Sequence, residues 1–211
     1  MNRFSCGRSV AGREIAAFAC GDGPTLALVH AGIHGDEPGA PIVAERLVAA
    51  LDGWRGPRVV IVPAVNPDGL TAGTKDNGRG VDLNRNFPSR SYRPGVLAPG
   101  YDAGPAPLSE PESAALAALV DAERPRRIVA VHQPFRCVNF DGPARPLAER
   151  MAAACGWPVV EDVGYPTPGS FGARYGVDLG LEVITLELPR PATEDELAAG
   201  LAALRIACTL P

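Results

Sequence analysis

The stretch that decides the fold is Thr25-Leu-Ala-Leu-Val-His30, followed by His34-Gly-Asp-Glu37 and then by Pro38 to Leu51. The first run is almost continuously apolar rather than alternating, the pattern of a central strand covered on both faces. Past the turn, Ile42, Val43, Leu47, Val48 and Leu51 fall on one helical stripe. Strand, polar turn and amphipathic helix together predict the opening of an α/β unit. Three further runs have the same buried-strand character: Arg58–Val65, Arg127–His132 and Glu182–Leu188. Helical patterns lie between them, over Pro111–Glu123 with Leu116, Leu119 and Val120, and over the alanine-rich Pro146–Cys155. A last helix opens with Thr193-Glu-Asp-Glu196, a capping box in which each side chain satisfies an orphan backbone donor. Strands alternating with helices predict a three-layer α/β/α fold around a mostly parallel sheet. Two segments crowded with Gly, Pro, Asn and Asp, Asn66–Pro107 and Asp162–Gly180, predict long loops. Loops of that length in a compact domain are more often functional than idle. No repeat, low-complexity tract or linker divides the chain, which reads as a single domain over residues 1–211.

Composition narrows the possible roles. With 46% hydrophobic and 21% charged residues the chain can bury a sizeable core, so disorder is not expected. A net charge of −4 offers no basic footprint for nucleic acid and no attraction to anionic membranes. No apolar run approaches the length that spans a bilayer, and the N-terminal Met1–Ile15 segment lacks the apolar core of a secretory signal. A cytoplasmic location is expected. The cysteines, Cys6, Cys20, Cys137, Cys155 and Cys208, are odd in number and form no CxxC pair. That argues against a disulfide framework or a cysteine zinc site and for small buried hydrophobes.

Three segments carry chemistry. His34-Gly-Asp-Glu37 sits where a strand ends, so one short turn aims an imidazole and a carboxylate at the same point. The chain has only three histidines, and His132 ends another predicted strand. In a parallel sheet the carboxyl ends of the strands gather at one edge, where ligands bind. His34, Glu37 and His132 therefore make a His₂Glu set, the ligand type of a catalytic zinc that keeps one position open. His30 reads as a structural strand-end residue. The second segment is Asn66-Pro-Asp-Gly69, by itself a turn, followed by Asp82-Leu-Asn-Arg-Asn86. Arg85 suits a bidentate grip on a carboxylate, Asn84 adds a donor, and Asp82 could fix the tautomer of a ligating histidine. The third is Val183-Ile-Thr-Leu-Glu187: a glutamate late in an apolar strand is costly to bury without purpose and could shuttle a proton at the metal edge.

Taken in order, His34-Gly-Asp-Glu37, Asn66-Pro-Asp-Gly69, Gly80-Val-Asp-Leu-Asn-Arg-Asn-Phe87, the lone His132 and Thr185-Leu-Glu-Leu-Pro189 resemble the zinc carboxypeptidase family of funnel-shaped metallopeptidases. The resemblance implies a mixed sheet of about eight strands and one Zn2+ per chain on His34, Glu37 and His132. It also implies Asp82 behind a ligand, Asn84 and Arg85 as carboxylate anchors, and Glu187 as general acid and base. Further likeness in Gly7-Arg-Ser9, Ser109-Glu-Pro-Glu112 and Gly164-Tyr-Pro-Thr-Pro-Gly-Ser-Phe-Gly172 is to the family's bacterial cell-wall amidases. They imply release of meso-diaminopimelate from a γ-D-glutamyl linkage. The expected partner is a small peptide with a free carboxylate, with no nucleic acid and no membrane; the oligomeric state stays open. One position departs from the family pattern: where an oxyanion-stabilising arginine is usual, this chain has Lys75, with Arg79 close by. Tyr165 is expected to cover the site, with Tyr175 as competitor, and Arg136 and Arg174 to lie at the surface. Three other readings are a zinc acyl-amino-acid deacylase of the aspartoacylase or succinylglutamate desuccinylase kind, a plain α-peptide carboxypeptidase, and a non-catalytic module that binds peptide carboxylates.

Overall fold

The computed structural model describes residues 1–209. Ten strands and five α-helices follow one another along the chain. They are β1 (Asn2–Arg8), β2 (Glu14–Cys20), β3 (Asp22–Ala31), α1 (Gly39–Ala50), β4 (Pro57–Val62), α2 (Pro67–Ala72), β5 (Val96–Ala98) and β6 (Tyr101–Asp102). Then come α3 (Pro111–Glu123), β7 (Arg127–His132), β8 (Phe135–Asp141), α4 (Arg145–Cys155), β9 (Val159–Val160), β10 (Glu182–Pro189) and α5 (Glu194–Thr209). Eight strands form one mixed sheet in the order β1-β2-β4-β3-β7-β10-β8-β9, and β5 pairs with β6 separately.

The four apolar runs of the sequence are the four contiguous central strands β4-β3-β7-β10, all parallel to one another. Their continuous hydrophobicity follows from that position, because both faces are covered. On one face α1, α4 and α5 bury Val43, Leu47, Met151 and Leu204 against Val29, Val131 and Leu186. On the other, α3 and loop residues bring Leu116, Phe87 and Phe171 against Leu28, Ile128 and Val183. The Thr193 capping box is formed: the Thr193 amide donates to Glu196 Oε2 at 2.8 Å, and the Glu196 amide to Thr193 Oγ1 at 3.3 Å.

Besides shifts of a few residues at element ends, the structure departs from the expected layout at one strand and in the two long loops. Within the run Arg58–Val65 the strand ends at Val62, before Pro63, which has no N–H to donate, and past it the Val65 amide donates once more to the Ala31 carbonyl of β3 at 3.0 Å. The two long loops are also partly regular. Asn66 caps α2 by accepting from the Gly69 amide at 2.8 Å, so Asn-Pro-Asp-Gly starts a helix rather than a plain turn. Leu83–Arg85 forms a single 3₁₀ turn, and Ala173–Asp178 a turn of π-helix.

Leu47 is fully buried between α1 and the sheet. Leu47→Ala is expected to cost about 2–5 kcal/mol through lost contacts and a cavity, read as a lower urea midpoint with an unchanged slope.

Candidate active site

The carboxyl ends of β3, β7 and β10 lie side by side, and the sheet register does the first part of the assembly. His132 ends β7 and pairs in register with Glu187 on β10. His34 and Glu37 come from the turn between β3 and α1. That turn is pressed against the start of α2: a Cβ added at Gly35 would sit 1.9 Å from the Gly69 carbonyl carbon. Gly35 therefore has to be glycine, and the Asn66–Gly69 segment sets where His34 stands. The Gly35 amide donates to the Lys75 carbonyl at 3.2 Å, and the Asn66 amide group to the Ile33 carbonyl at 3.3 Å, tying three segments together.

The two imidazoles meet around one carboxylate. Nδ1 of His34 lies 2.8 Å from Glu37 Oε1, and Nδ1 of His132 lies 3.1 Å from Glu37 Oε2. The ring centroids are 5.0 Å apart. One ligand atom from each of His34, Glu37 and His132 falls within 4.8 Å of the others, and all three residues are buried. On the far side of His34, Nε2 is 3.0 Å from Asp82 Oδ1. An ionised carboxylate only accepts, so Asp82 keeps a proton on Nε2 and leaves Nδ1 to face Glu37 and a metal. Two imidazoles and a carboxylate, with an open side toward the cavity, are a donor set that fits a catalytic divalent ion.

Electrostatics tie these groups together. Burial alone would lower the pKa of His34, but hydrogen bonds to Asp82 and Glu37 and their charges reverse this and raise it to about 10. Burial would raise that of Glu37, but His132 and His34 bring it down to about 2. Burial likewise opposes ionisation of Asp82, and His34 outweighs it, holding that carboxyl well below the usual range. Glu187 behaves differently. Burial pushes its pKa up, His132 offsets part of this, and the charge of Glu37 adds to the rise. Among the described residues its carboxylate accepts one long bond, from the Phe135 amide at 3.4 Å. A proton-accepting carboxylate beside His34, Glu37 and His132, with no ion pair among the described residues, is suited to general acid–base work.

A cavity of about 380 Å³ opens beside these groups. Arg85, Asn84, Lys75 and Tyr165 line it. Arg85 is buried and its Nη1 donates to the Asn84 carbonyl at 2.7 Å, with no carboxylate paired to it among the described residues. Asn84 Oδ1 accepts from the Phe171 amide at 2.9 Å, leaving its NH₂ available. Tyr165 stands exposed at the rim, with Phe135 6.3 Å away between ring centroids. Tyr175 does not compete for that place: it is buried against Phe171 and Phe87.

Of the two cations expected near the oxyanion, the structure brings only one to the cavity. Arg79 points away and pairs with Glu110 at 3.5 Å, a carboxylate that also accepts from Asn77. Lys75 reaches the cavity, but its ammonium donates to Asp82 Oδ2 at 2.5 Å and to the Gly100 carbonyl at 3.0 Å, and sits 3.6 Å from the centre of the Tyr101 ring. Two of its three N–H groups are thus engaged by oxygen acceptors, and the ammonium also lies against the Tyr101 ring. Arg136 is exposed and Arg174 lies outside the cavity lining. The sequence reading missed β8, whose Asn139 and Asp141 line the cavity with Thr185 of β10. The alternation of Cys137, Asn139 and Asp141 with Val138 and Phe140 is the period-two signal that would have found it.

With this geometry in hand, the chain can be set beside known proteins. Residues 1–140 match the zinc carboxypeptidase family profile. The chain belongs to that family, and is a metallohydrolase acting on amide bonds. Among curated proteins it is 36% identical to murein peptide amidase A of Escherichia coli strain K12 over 203 residues, 90% of this chain and 82% of that protein. Murein peptide amidase A of Vibrio campbellii is 35% identical over 198 residues, 88% and 78% of the two chains. Among solved structures, murein-tripeptide amidase from Escherichia coli O157 superposes with a TM-score of 0.82 at 33% identity, over 98% of this chain and 90% of that one. Carboxypeptidase A from Helicoverpa armigera, at 18% identity and a TM-score of 0.80 over 98% of this chain and 68% of that one, shares the fold. Among the described residues no helix is long and apolar enough to cross a membrane.

A ligating imidazole must be deprotonated, so a metal has to displace the proton that His34 holds below about pH 10. Titrating zinc into the apoprotein at pH 7.5 is expected to release about one proton per ion, with affinity rising as the pH is raised. Calorimetry in two buffers of different protonation enthalpy measures this. No release would count against His34 as a ligand.

Proposed function

We propose that this protein is a zinc-dependent murein-tripeptide amidase that frees meso-diaminopimelate from its γ-D-glutamyl linkage, working in the cytoplasm on recycled cell-wall peptide. The observation that carries the reading is the convergence of His34, Glu37 and His132 beside Glu187 in a cavity that Arg85 also lines. The shared identity with two murein peptide amidases over nearly the whole chain supports the choice of substrate.

In this reading His34, Glu37 and His132 hold one zinc ion, and Asp82 keeps His34 in the right tautomer. Zinc held there supplies Lewis-acid polarisation of the scissile carbonyl and makes water acidic enough to attack at neutral pH. Arg85 grips the terminal carboxylate of the peptide and Asn84 adds a second donor, so the bond cleaved lies one residue from the end. Glu187 takes the proton of the attacking water. Its raised pKa keeps the proton long enough to hand it to the departing amine. Lys75 gives positive charge to the developing oxyanion on releasing the Gly100 carbonyl. Tyr165 closes over the bound peptide from the rim.

Zinc-loaded protein is expected to release diaminopimelate from L-Ala-γ-D-Glu-meso-diaminopimelate, and Glu187→Gln to abolish this while retaining the metal. N-acyl amino acids should be poor substrates; faster turnover of those than of the tripeptide would transfer the reading to a deacylase. Lys75→Met is expected to lower kcat about a hundredfold or more with zinc content unchanged, measured by steady-state kinetics beside elemental analysis.

A further inference from the structure

The chain holds 20 lysine and arginine side chains, and only one of them, Lys75, is a lysine. That single ammonium stands at the cavity wall. Asp82 Oδ2 and the Gly100 carbonyl accept from it, and its Nζ lies 3.6 Å from the centre of the Tyr101 ring. Two oxygens and a ring face around one nitrogen suit a compact charge with rotatable donors rather than a planar fork. The same ring faces a second cation of the cavity: the guanidinium carbon of Arg85 lies 5.2 Å from its centre. Both distances are within reach of a cation–ring attraction. Tyr101 itself lines the cavity and is half-buried. Among the described residues its hydroxyl makes no hydrogen bond, so the ring face is what it offers.

Backbone bonds fix the place of the ring. Tyr101 opens β6, and the carbonyl of the next residue, Asp102, accepts from the Asp82 amide at 2.8 Å. The Asp102 side chain accepts from the Gly104 amide at 2.8 Å, and the Gly95 amide donates to the Gly104 carbonyl at 2.9 Å. Tyr92 Oη donates to the same carbonyl at 2.9 Å. The hairpin that carries Tyr101 is thus tied to the residue that pairs with Lys75, and ring, carboxylate and ammonium share one frame. Like charges held against one ring repel each other. The negative face of the ring attracts both, yet carries no net charge that would neutralise either. A carboxylate in its place would pair with a cation and withdraw it from a ligand.

Resting on the amidase reading, in which Lys75 faces the oxyanion, we propose that Tyr101 is a positioning residue: its ring face holds the Lys75 ammonium in place at the cavity wall. Because Arg85 lies against the same ring, the oxyanion charge is placed relative to the carboxylate grip. Tyr101 acts through Lys75 and takes no part in the bond changes.

The test joins steady-state kinetics on L-Ala-γ-D-Glu-meso-diaminopimelate to magnetic resonance of the zinc-loaded protein. Tyr101→Leu is expected to lower kcat about tenfold or more with zinc content unchanged, and Tyr101→Phe to stay within about threefold of wild type. In a Lys75→Met background Tyr101→Leu should change kcat by less than about threefold, since the charge it positions is gone. Tyr101→3,4,5-trifluorophenylalanine keeps nearly the size of Tyr101→Phe but strips the negative charge from the ring face, and should fall about tenfold below it whatever leucine does to the hairpin. Because Lys75 is the single lysine, carbon-13 lysine labelling gives one side-chain signal that is read without turnover. Its ε-methylene protons should lie upfield of free lysine in wild type, through the ring current, and return to the free value in Tyr101→Leu. The proposal is overturned by a kcat that ignores Tyr101→Leu, by an equal fall in Tyr101→Phe, by an equal fall with and without Lys75, or by a fluorinated ring as active as Tyr101→Phe. If the wild type cleaves no tripeptide yet the Lys75 signal responds as described, the amidase reading fails and the contact of ring and ammonium stands. If the tripeptide is cleaved but the Lys75 signal ignores the loss of the ring, the contact fails and the amidase reading stands.

Discussion

Both oxygens of Glu37 are engaged by imidazole nitrogens, one from its own turn and one from a strand 95 residues further on. This contact is where the local and the long-range parts of the molecule are joined. His34 reaches Glu37 because only Gly35 and Asp36 separate them in the turn ahead of α1. His132 reaches it because β3 and β7 are neighbouring parallel strands that end at the same edge. The Gln133 amide adds a third donor to Glu37 at 3.2 Å, and the Gln133 side chain accepts from the Gly39 amide at 2.8 Å, locking the start of α1 to the end of β7. Shifting the strand pairing by one residue would turn His132 to the opposite face and leave a buried carboxylate with half its partners.

Support for this contact extends outward in layers of polar bonding. Asp82 is shared between His34 and Lys75, and also accepts from the Asn84 amide at 2.9 Å, so one fully buried carboxylate holds an imidazole, a cation and the turn that carries Asn84 and Arg85. Asp68 accepts from Ser9, Arg13 and the Ala11 amide, which ties the β1–β2 loop to α2 and hence to the segment behind Gly35. Charges that would be expensive to bury singly are tolerated because each is divided among several donors.

Much of this could be read from the residues. The four parallel strands announced themselves through unbroken Val, Ile and Leu, since a strand covered twice has no polar side. Helices α3 and α5 were visible from Pro111 and from the Thr193 box. The convergence of His34, Glu37 and His132 followed from the rule that strand ends gather at one edge. The outer strands were harder: β1 is largely exposed, β2 alternates buried with partly buried residues, and β8 mixes Asn139 and Asp141 into its ladder because they face a cavity rather than a core. The direction of Arg79 was beyond the sequence for a different reason. Its partner Glu110 lies 31 residues away and is brought near only by the packing of α3. The same holds for Lys75, whose engagement with Tyr101 depends on the β5–β6 hairpin.

The two faces of the sheet are finished differently. One is sealed by three long helices packed together, the other by α3 and by irregular chain that also supplies Arg85, Tyr165 and Gly172. Lengthening or exchanging those irregular pieces would reshape what the protein accepts while the edge that carries His34, Glu37 and His132 and its helical backing stayed as they are. The scaffold is thus divided into a part that heredity must keep and a part it can rewrite, and an engineer wishing to retarget the enzyme would work on the second alone.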